Sequence, residues 1–156
     1  MEQPDALRQV ADFHKTFHHP ILDSPAIPDK KRCALRVALL AEELRELEDA
    51  IKDKDIVEIA DALCDLQYVL SGAILEFGLG EKFKALFDEV QRSNMSKACA
   101  TEEEARKTVE YYRNERDTEC YYRQEGGKFL VFRTSDNKTI KSVSYSPANL
   151  EKILNS

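Results

Sequence analysis

Between Arg36 and Ile74 the chain reads RVALLAEELRELEDAIKDKDIVEIADALCDLQYVLSGAI, two helical stretches carrying carboxylates where a core is ordinarily apolar. At about 100° per residue, Val37, Leu40, Leu44, Leu47 and Ile51 form one apolar stripe on the first. Glu43 and Glu46 lie on its flank, near Leu39 and Ala50, with Glu42 beside them. On the second, Ile56, Ile59, Leu63, Leu66, Leu70 and Ile74 form a stripe, while Val57, Ala62, Val69 and Leu75 make the far side apolar as well. That helix reads as buried nearly all round. Glu58, Asp61 and Asp65 run down its second apolar side, three and four residues apart.

A buried unpaired carboxylate is costly, and neighbouring carboxylates repel one another. Something positive has to sit among them, yet Arg36, Arg45, Lys52 and Lys54 fall at the helix ends or on the outer face. A divalent cation meets the need. Donors that are all carboxylate oxygens, without His or Cys, select a hard ion, Mg²⁺ or Mn²⁺, over zinc. The competing reading, a solvated charged face, holds for Glu48, Asp49, Lys52 and Lys54, which fall opposite the stripe.

With 42% hydrophobic content in 156 residues, the chain is expected to form a single domain with its own core. A net charge of −6 gives no electrostatic footprint for nucleic acid, and the short basic run at 30–32 does not change that. No stretch approaches the roughly 18 apolar residues of a membrane span, and no charged-then-apolar leader opens the chain. Cys33, Cys64, Cys99 and Cys120 are scattered without a C-x-x-C, as expected for reduced thiols in the cytoplasm. Cys64 reads as a small apolar filler on the core helix.

A first helix is expected from about Pro4 to Phe17, with Leu7, Val10, Phe13 and Phe17 on one face. The proline-rich HHPILDSPAIPD breaks it into an irregular loop. His14 and His18 stand four apart, but no third soft ligand accompanies them for zinc. His14, with Phe13 and Phe17, is instead a candidate to line a substrate pocket or to pack. Pro28-Asp29 opens the second helix, and KDKD separates it from the third, which starts near Asp55. So short a link makes the acidic helices an antiparallel pair. A fourth helix, about 81–93, carries Phe83, Leu86, Phe87 and Val90, and Thr101 with Glu104 caps a fifth, reaching about Glu115. From Cys120 the period becomes two: CYYRQ, KFLVFR and KTIKSV read as strands around a Gly126-Gly127 turn, and PANLEKIL as a last helix. The fold expected is all-α, an antiparallel four-helix-bundle core with a fifth helix (4–115) and a small β-hairpin appendage with a short helix (118–154).

Acids inside a helical bundle serve di-iron oxidases, but that class needs Glu-x-x-His on two helices. Here Glu58 is followed three residues on by Asp61. Oxygen-only ligands point to phosphate chemistry, and no G-x-x-x-x-G-K makes this a P-loop. R-x-x-L-x-x-E-E-x-x-E (Arg36, Leu39, Glu42, Glu43, Glu46) followed by E-x-x-D (Glu58, Asp61) resembles the signature of the all-α nucleoside triphosphate pyrophosphohydrolases. That superfamily includes MazG, dimeric dUTPases and phosphoribosyl-ATP pyrophosphohydrolase. The frame DFHKTFHHP, ADALCDLQYVLSGAILEFGL and FDEVQRSNMSK is similar to its MazG-like, phosphoribosyl-ATP-pyrophosphohydrolase-like branch over residues 10–97.

The resemblance implies hydrolysis of a nucleoside triphosphate between its α and β phosphates, giving a monophosphate and pyrophosphate. It assigns Glu43, Glu46, Glu58 and Asp61 to Mg²⁺. It gives Glu42 the task of orienting or deprotonating the attacking water, with Glu46 also among the catalytic acids. Asp65 extends the acidic line, supporting the ligands from behind or reaching the ion through water. Asn94 and Lys97 of SNMSK are the candidates for holding phosphate, and Arg36 is either part of the signature or a structural partner of a carboxylate. The resemblance also implies a homodimer or homotetramer. From a different class, a non-catalytic helical module with a structural Mg²⁺ or Ca²⁺ would need fewer acids. The preferred base, dUTP, a non-standard nucleotide or phosphoribosyl-ATP, is not encoded by any motif.

Overall fold

The computed structural model describes residue 2 and residues 4–156. In chain order these form α1 (Ala6–Thr16), α2 (Lys30–Asp53), α3 (Ile56–Glu76), α4 (Phe83–Met95), α5 (Glu102–Arg116), β1 (Cys120–Glu125), β2 (Lys128–Arg133) and α6 (Leu150–Leu154). The chain divides into two compact units, Met1–Lys84 and Ala85–Ser156. The division falls inside the helical segment expected over 4–115. No helix among the described residues is long and apolar enough to cross a membrane.

In the first unit local chemistry sets the helix ends. Asp29 accepts hydrogen bonds from the backbone N–H of Lys31 and Arg32 at the start of α2. Asp55 does the same for Val57 and Glu58 at the start of α3. Between them Lys54 adopts a left-handed conformation, closing α2 and reversing the chain within two residues. The loop after α1 is tied down by backbone bonds from Leu22 to Leu75 and from Ala26 to Phe77. There Gly78 has φ +67°, and a Cβ on it would stand 1.9 Å from the Ser24 carbonyl oxygen, so only glycine fits.

α1 and α2 both pack on α3, and only part of each expected stripe turns inward: Ile74 is buried, and Leu40, Leu47, Ile59 and Leu66 are half-buried. The buried positions of α2 and the first half of α3 are Arg36, Ala50 and Ala62, on the acid-bearing side. Val37, Leu44 and Ile51 on α2, and Ile56, Leu63 and Leu70 on α3, remain exposed, Val37 by 67% and Ile56 by 73%. Val57 is likewise 71% exposed, so α3 is enclosed only toward its C-terminal end. Cys64 is exposed rather than a core filler. The physical reason is area: two helices cover one side of α3, and no third one in this unit covers the other.

The second unit has its own core, formed by Cys99, Ala105, Cys120, Val131 and Ile140 with Val109, Tyr112, Tyr122 and Phe129 around it. β1 and β2 are antiparallel, Cys120 opposite Arg133 and Glu125 opposite Lys128. Gly126 and Gly127, both at positive φ, close the two-residue turn. KTIKSV is not a third strand. After a single bridge between Phe132 and Thr139 the segment turns to α5, where Val143 N–H donates to Thr108 Oγ1 at 3.1 Å and Ser142 Oγ donates to Glu104. Helix side chains thus take the donors that a strand ladder would have used.

Candidate active site

The pairing of Arg32 and Arg36 near the start of α2 with Glu76 at the end of α3 shows the two helices to be antiparallel. Along their facing sides α2 presents Arg36, Leu39, Glu43, Glu46 and Ala50, and α3 presents Glu58, Ala62, Asp65, Val69, Gly72 and Glu76, at alternating steps of three and four. The seam is acidic at the turn end and basic at the other.

At the turn end Glu46, Glu58 and Asp61 line one concavity of about 300 Å³ with Asp49, Asp53 and Asp55. Asp49, which lines the concavity, also pairs with Lys52, and both side chains are largely exposed. Further along, Glu43 is half-buried. Burial pushes its carboxyl above the ordinary range, and the charges of Asp65, Glu46, Glu42 and Asp61 push it the same way. Glu43 thus faces four like charges, and among the described residues none of these acids pairs with a Lys or Arg. Asp61 joins the two groups: it lines the concavity and acts on Glu43.

Among the described residues no group of three or more His, Cys, Asp or Glu side chains is arranged to hold a metal ion. The donor chemistry nevertheless fits a hard divalent ion. Mg²⁺ characteristically keeps several waters and takes one or two carboxylates together with substrate phosphates. The carboxylates of the seam are donors of that kind, and burial together with its like-charged neighbours raises the pKa of Glu43.

At the other end lies a network that sequence reasoning resolved only in part. Arg36, expected as either a signature residue or a structural partner, is buried and pairs with Glu76. Arg32 reaches the same carboxylate, its Nε donating to Glu76 Oε2 at 3.0 Å. Glu76 is 1% exposed, and its two arginines are 40 and 44 residues away in sequence. The available signal was its spacing, because Asp65, Val69, Gly72 and Glu76 continue the acidic line. His14, 2% exposed, donates from Nδ1 to the Pro20 carbonyl at 2.9 Å and accepts from Arg36 Nη2 at 3.1 Å. Both of its nitrogens are engaged while its ring lines a cavity with Phe13. Phe17 stands exposed, 4.5 Å from the Phe13 ring. Asn94 and Lys97 belong to the second unit, where Lys97 Nζ donates to Asn94 Oδ1 at 2.8 Å.

This network gives a pH dependence. Burial lowers the His14 pKa below its usual value, against the opposing bond to Pro20. For Glu76 burial pushes the carboxyl up, but the hydrogen bonds from Arg32 and Arg36 outweigh it and the net shift is downward. Both groups therefore bind protons more weakly folded than unfolded. Their contribution is complete above the unfolded values, about 6.5 for histidine and 4.3 for glutamate, and is lost as pH falls through the folded ones. Glu43, shifted upward, acts in the opposite sense. Thermal melting followed by circular dichroism is expected to show stability decreasing from about pH 6.5 downward. A midpoint that rises steadily from pH 6.5 to 4 would contradict the assignment.

The model of the phosphoribosyl-ATP pyrophosphohydrolase family matches residues 10–94, more than half of the chain. The chain is also 28% identical over 100 residues to an uncharacterised protein of Acanthamoeba polyphaga mimivirus. That similarity spans 62% of this chain and 40% of the viral protein. The matched segment contains the C-terminal part of α1, the whole of α2 and α3, and every acid of the seam.

Proposed function

Because this chain belongs to the phosphoribosyl-ATP pyrophosphohydrolase family, within the MazG-like superfamily, we propose that it hydrolyses a nucleoside triphosphate between the α and β phosphates. A nucleoside monophosphate and pyrophosphate leave. The observation that carries the reading is the crowding of Glu43 by four carboxylates, none of which pairs with a Lys or Arg among the described residues. Glu43, Glu46, Glu58 and Asp61 would hold Mg²⁺, with Mn²⁺ as its substitute, and Asp65 would support them from behind or reach the ion through water. When bound, the ion neutralises phosphate charge and lowers the pKa of the attacking water. Glu42, exposed next to Glu43, orients that water and takes its proton. Water oxygen bonds to phosphorus as the bridging phosphoanhydride bond breaks, and the bridging oxygen leaves on the departing phosphate group.

The exposed apolar stripes support a homodimer or homotetramer, in which α2 and α3 of two copies complete the four-helix bundle. Val37, Leu44, Ile51, Ile56, Leu63 and Leu70 would lose water together there, at about 25 cal/mol per Å² of apolar surface. The free cysteines support a reducing, cytoplasmic setting.

Incubation with a panel of deoxy- and ribonucleoside triphosphates and Mg²⁺, with pyrophosphate as the readout, tests the reaction. Release from at least one member is expected. Metal binding without release from any of them would favour a structural-ion module instead. A separate measurement addresses the ion: at about 100 times its dissociation constant, Mg²⁺ should add roughly 2.7 kcal/mol of stability. The melting temperature is therefore expected to rise with Mg²⁺ and to fall again with chelator. A midpoint unmoved across that titration would remove the metal site.

A further inference from the structure

We propose that the free edge of β1 pairs with β1 of a second copy of this chain, so that two hairpins join into one continuous antiparallel sheet. The direction of the backbone groups carries the argument. On β2, Phe129 exchanges both of its backbone hydrogen bonds with Cys99, the Val131 carbonyl accepts from Ile140 N–H, and Arg133 N–H donates to the Lys138 carbonyl. Those residues turn their backbone groups away from β1. Their partners Gln124, Tyr122 and Cys120 therefore stand in non-hydrogen-bonded pairs and point their own N–H and C=O groups outward. Among the described residues no other element hydrogen-bonds to them. A row of unpaired backbone groups is a template for another strand. The usual devices that blunt an edge are missing here: β1 holds no proline, and its register with β2 runs unbroken over six residues.

The side chains select a second copy, in one register. Tyr121, Arg123 and Glu125 stand exposed on one face, and the bond from Thr134 N–H to the Glu119 carbonyl extends the pairing back to Glu119. With the two-fold axis at Tyr121, Arg123 faces Glu119 of the second copy and Glu119 faces its Arg123. Both are non-hydrogen-bonded pairs, where opposite side chains come closest. Cys120 and Tyr122 then exchange backbone hydrogen bonds with Tyr122 and Cys120 across the axis. Moving the axis to Tyr122 sets Glu119 against Glu125, and moving it to Arg123 sets that arginine against itself, so like charges disfavour both. The ion pairs that Glu119 and Arg123 now make, with Arg113 and Glu125, are exposed and cost little to exchange.

The sheet also has room beside this edge. A groove of about 340 Å³ lies between Tyr122 and α5, lined by Arg106, Val109, Glu110, Arg113 and Asn114. The Tyr122 hydroxyl is on that side, accepting from Arg106 and donating to Glu102. Tyr122 of the second copy, opposite Cys120, falls on the same side of the sheet and brings its ring to the groove. The interface uses no residue of the α2 and α3 stripes and none of the acidic seam, so it stands apart from the proposed reaction.

The test reads mass and amide exchange on the full-length protein, under reducing conditions and without metal or nucleotide. In sedimentation velocity, Arg123→Glu and Glu119→Arg are each expected to weaken this association at least about tenfold, because two symmetric attractions become repulsions. Each should halve the mass of the largest species, and the double variant should restore it. Within one chain the two side chains are about 13 Å apart along the strand, so restoration reports pairing between copies. In hydrogen exchange followed by NMR, the Cys120 and Tyr122 amides should gain protection as concentration rises. Those of Tyr121 and Arg123, already directed at β2, serve as the reference. Cys120 and Tyr122 amides that exchange freely in an oligomeric protein would place the association on the helices and overturn the proposal. A double variant that stays dissociated overturns it too. A wild type that remains monomeric at every concentration rejects the second copy and leaves the edge to a strand from another chain.

Discussion

Replacing Glu76 with alanine is expected to destabilise the first unit by about 3–5 kcal/mol, the loss typical when one member of a buried ion pair is removed. The side chains of Arg32 and Arg36 are only 25% and 9% exposed, and both point at this carboxylate. Without it, two guanidinium groups face each other with little water and no counter-ion. Set against a total stability of about 5–15 kcal/mol for an ordinary domain, the change brings the unit close to unfolding. His14 would be disturbed too, since the Arg36 nitrogen it accepts from is the one that Glu76 holds. Glu76→Gln keeps an acceptor but no charge, and should cost nearly as much. Exchanging all three charged groups for apolar ones of similar volume should recover much of the loss, because such trios are often neutral to replace together. Urea unfolding followed by circular dichroism decides the matter. A Glu76→Ala midpoint within about 0.5 kcal/mol of wild type, the range of ordinary surface changes, would mean that the network is dispensable.

Glu58→Gln and Asp61→Asn are expected to have the opposite profile, with pyrophosphate release lost at least about a hundredfold and the fold intact. Losses of that size accompany removal of a group that stabilises the charge of the reacting centre. Both side chains are exposed in the acidic concavity, so neither substitution opens a core cavity. The two differ in their effect on the metal-free protein. Glu58 lies in the first turn of α3, where a negative charge gains about 0.3–1 kcal/mol from the helix dipole, and amidation gives that up. Asp61 has no such benefit and adds to the repulsion on Glu43. Its amidation should therefore leave the melting temperature level or slightly raised in chelator, and should shrink the response to Mg²⁺. Wild-type turnover in both variants would refute the assignment of the acidic seam.

Much of this was legible in the chain because it depends on neighbours a few residues away. Asp29, Asp55 and Thr101 mark helix starts by accepting from backbone N–H groups two or three positions on. Gly126-Gly127 fixes the hairpin, since both positions need positive φ. The three-residue spacing of Glu43 and Glu46, and the three- and four-residue spacing of Glu58, Asp61 and Asp65, put each set on one side of its own helix. Such features are satisfied within one or two turns of backbone, and no tertiary partner is needed to read them.

Which face of each helix turned inward was decided only in three dimensions. Helical periodicity identifies an apolar stripe but not its cover, and here the acid-bearing side meets the neighbouring helix while Val37, Ile56 and Leu63 stay outside. The same holds for Glu76, whose charge is tolerable only because Arg32 and Arg36 come back to it across some forty residues. KTIKSV has the period of a strand, yet Glu104 and Thr108 of α5 offered its backbone and Ser142 better partners than a third ladder. Burial and charge pairing are properties of assembled surfaces, so a linear pattern states which groups need a partner and leaves the fold to choose it.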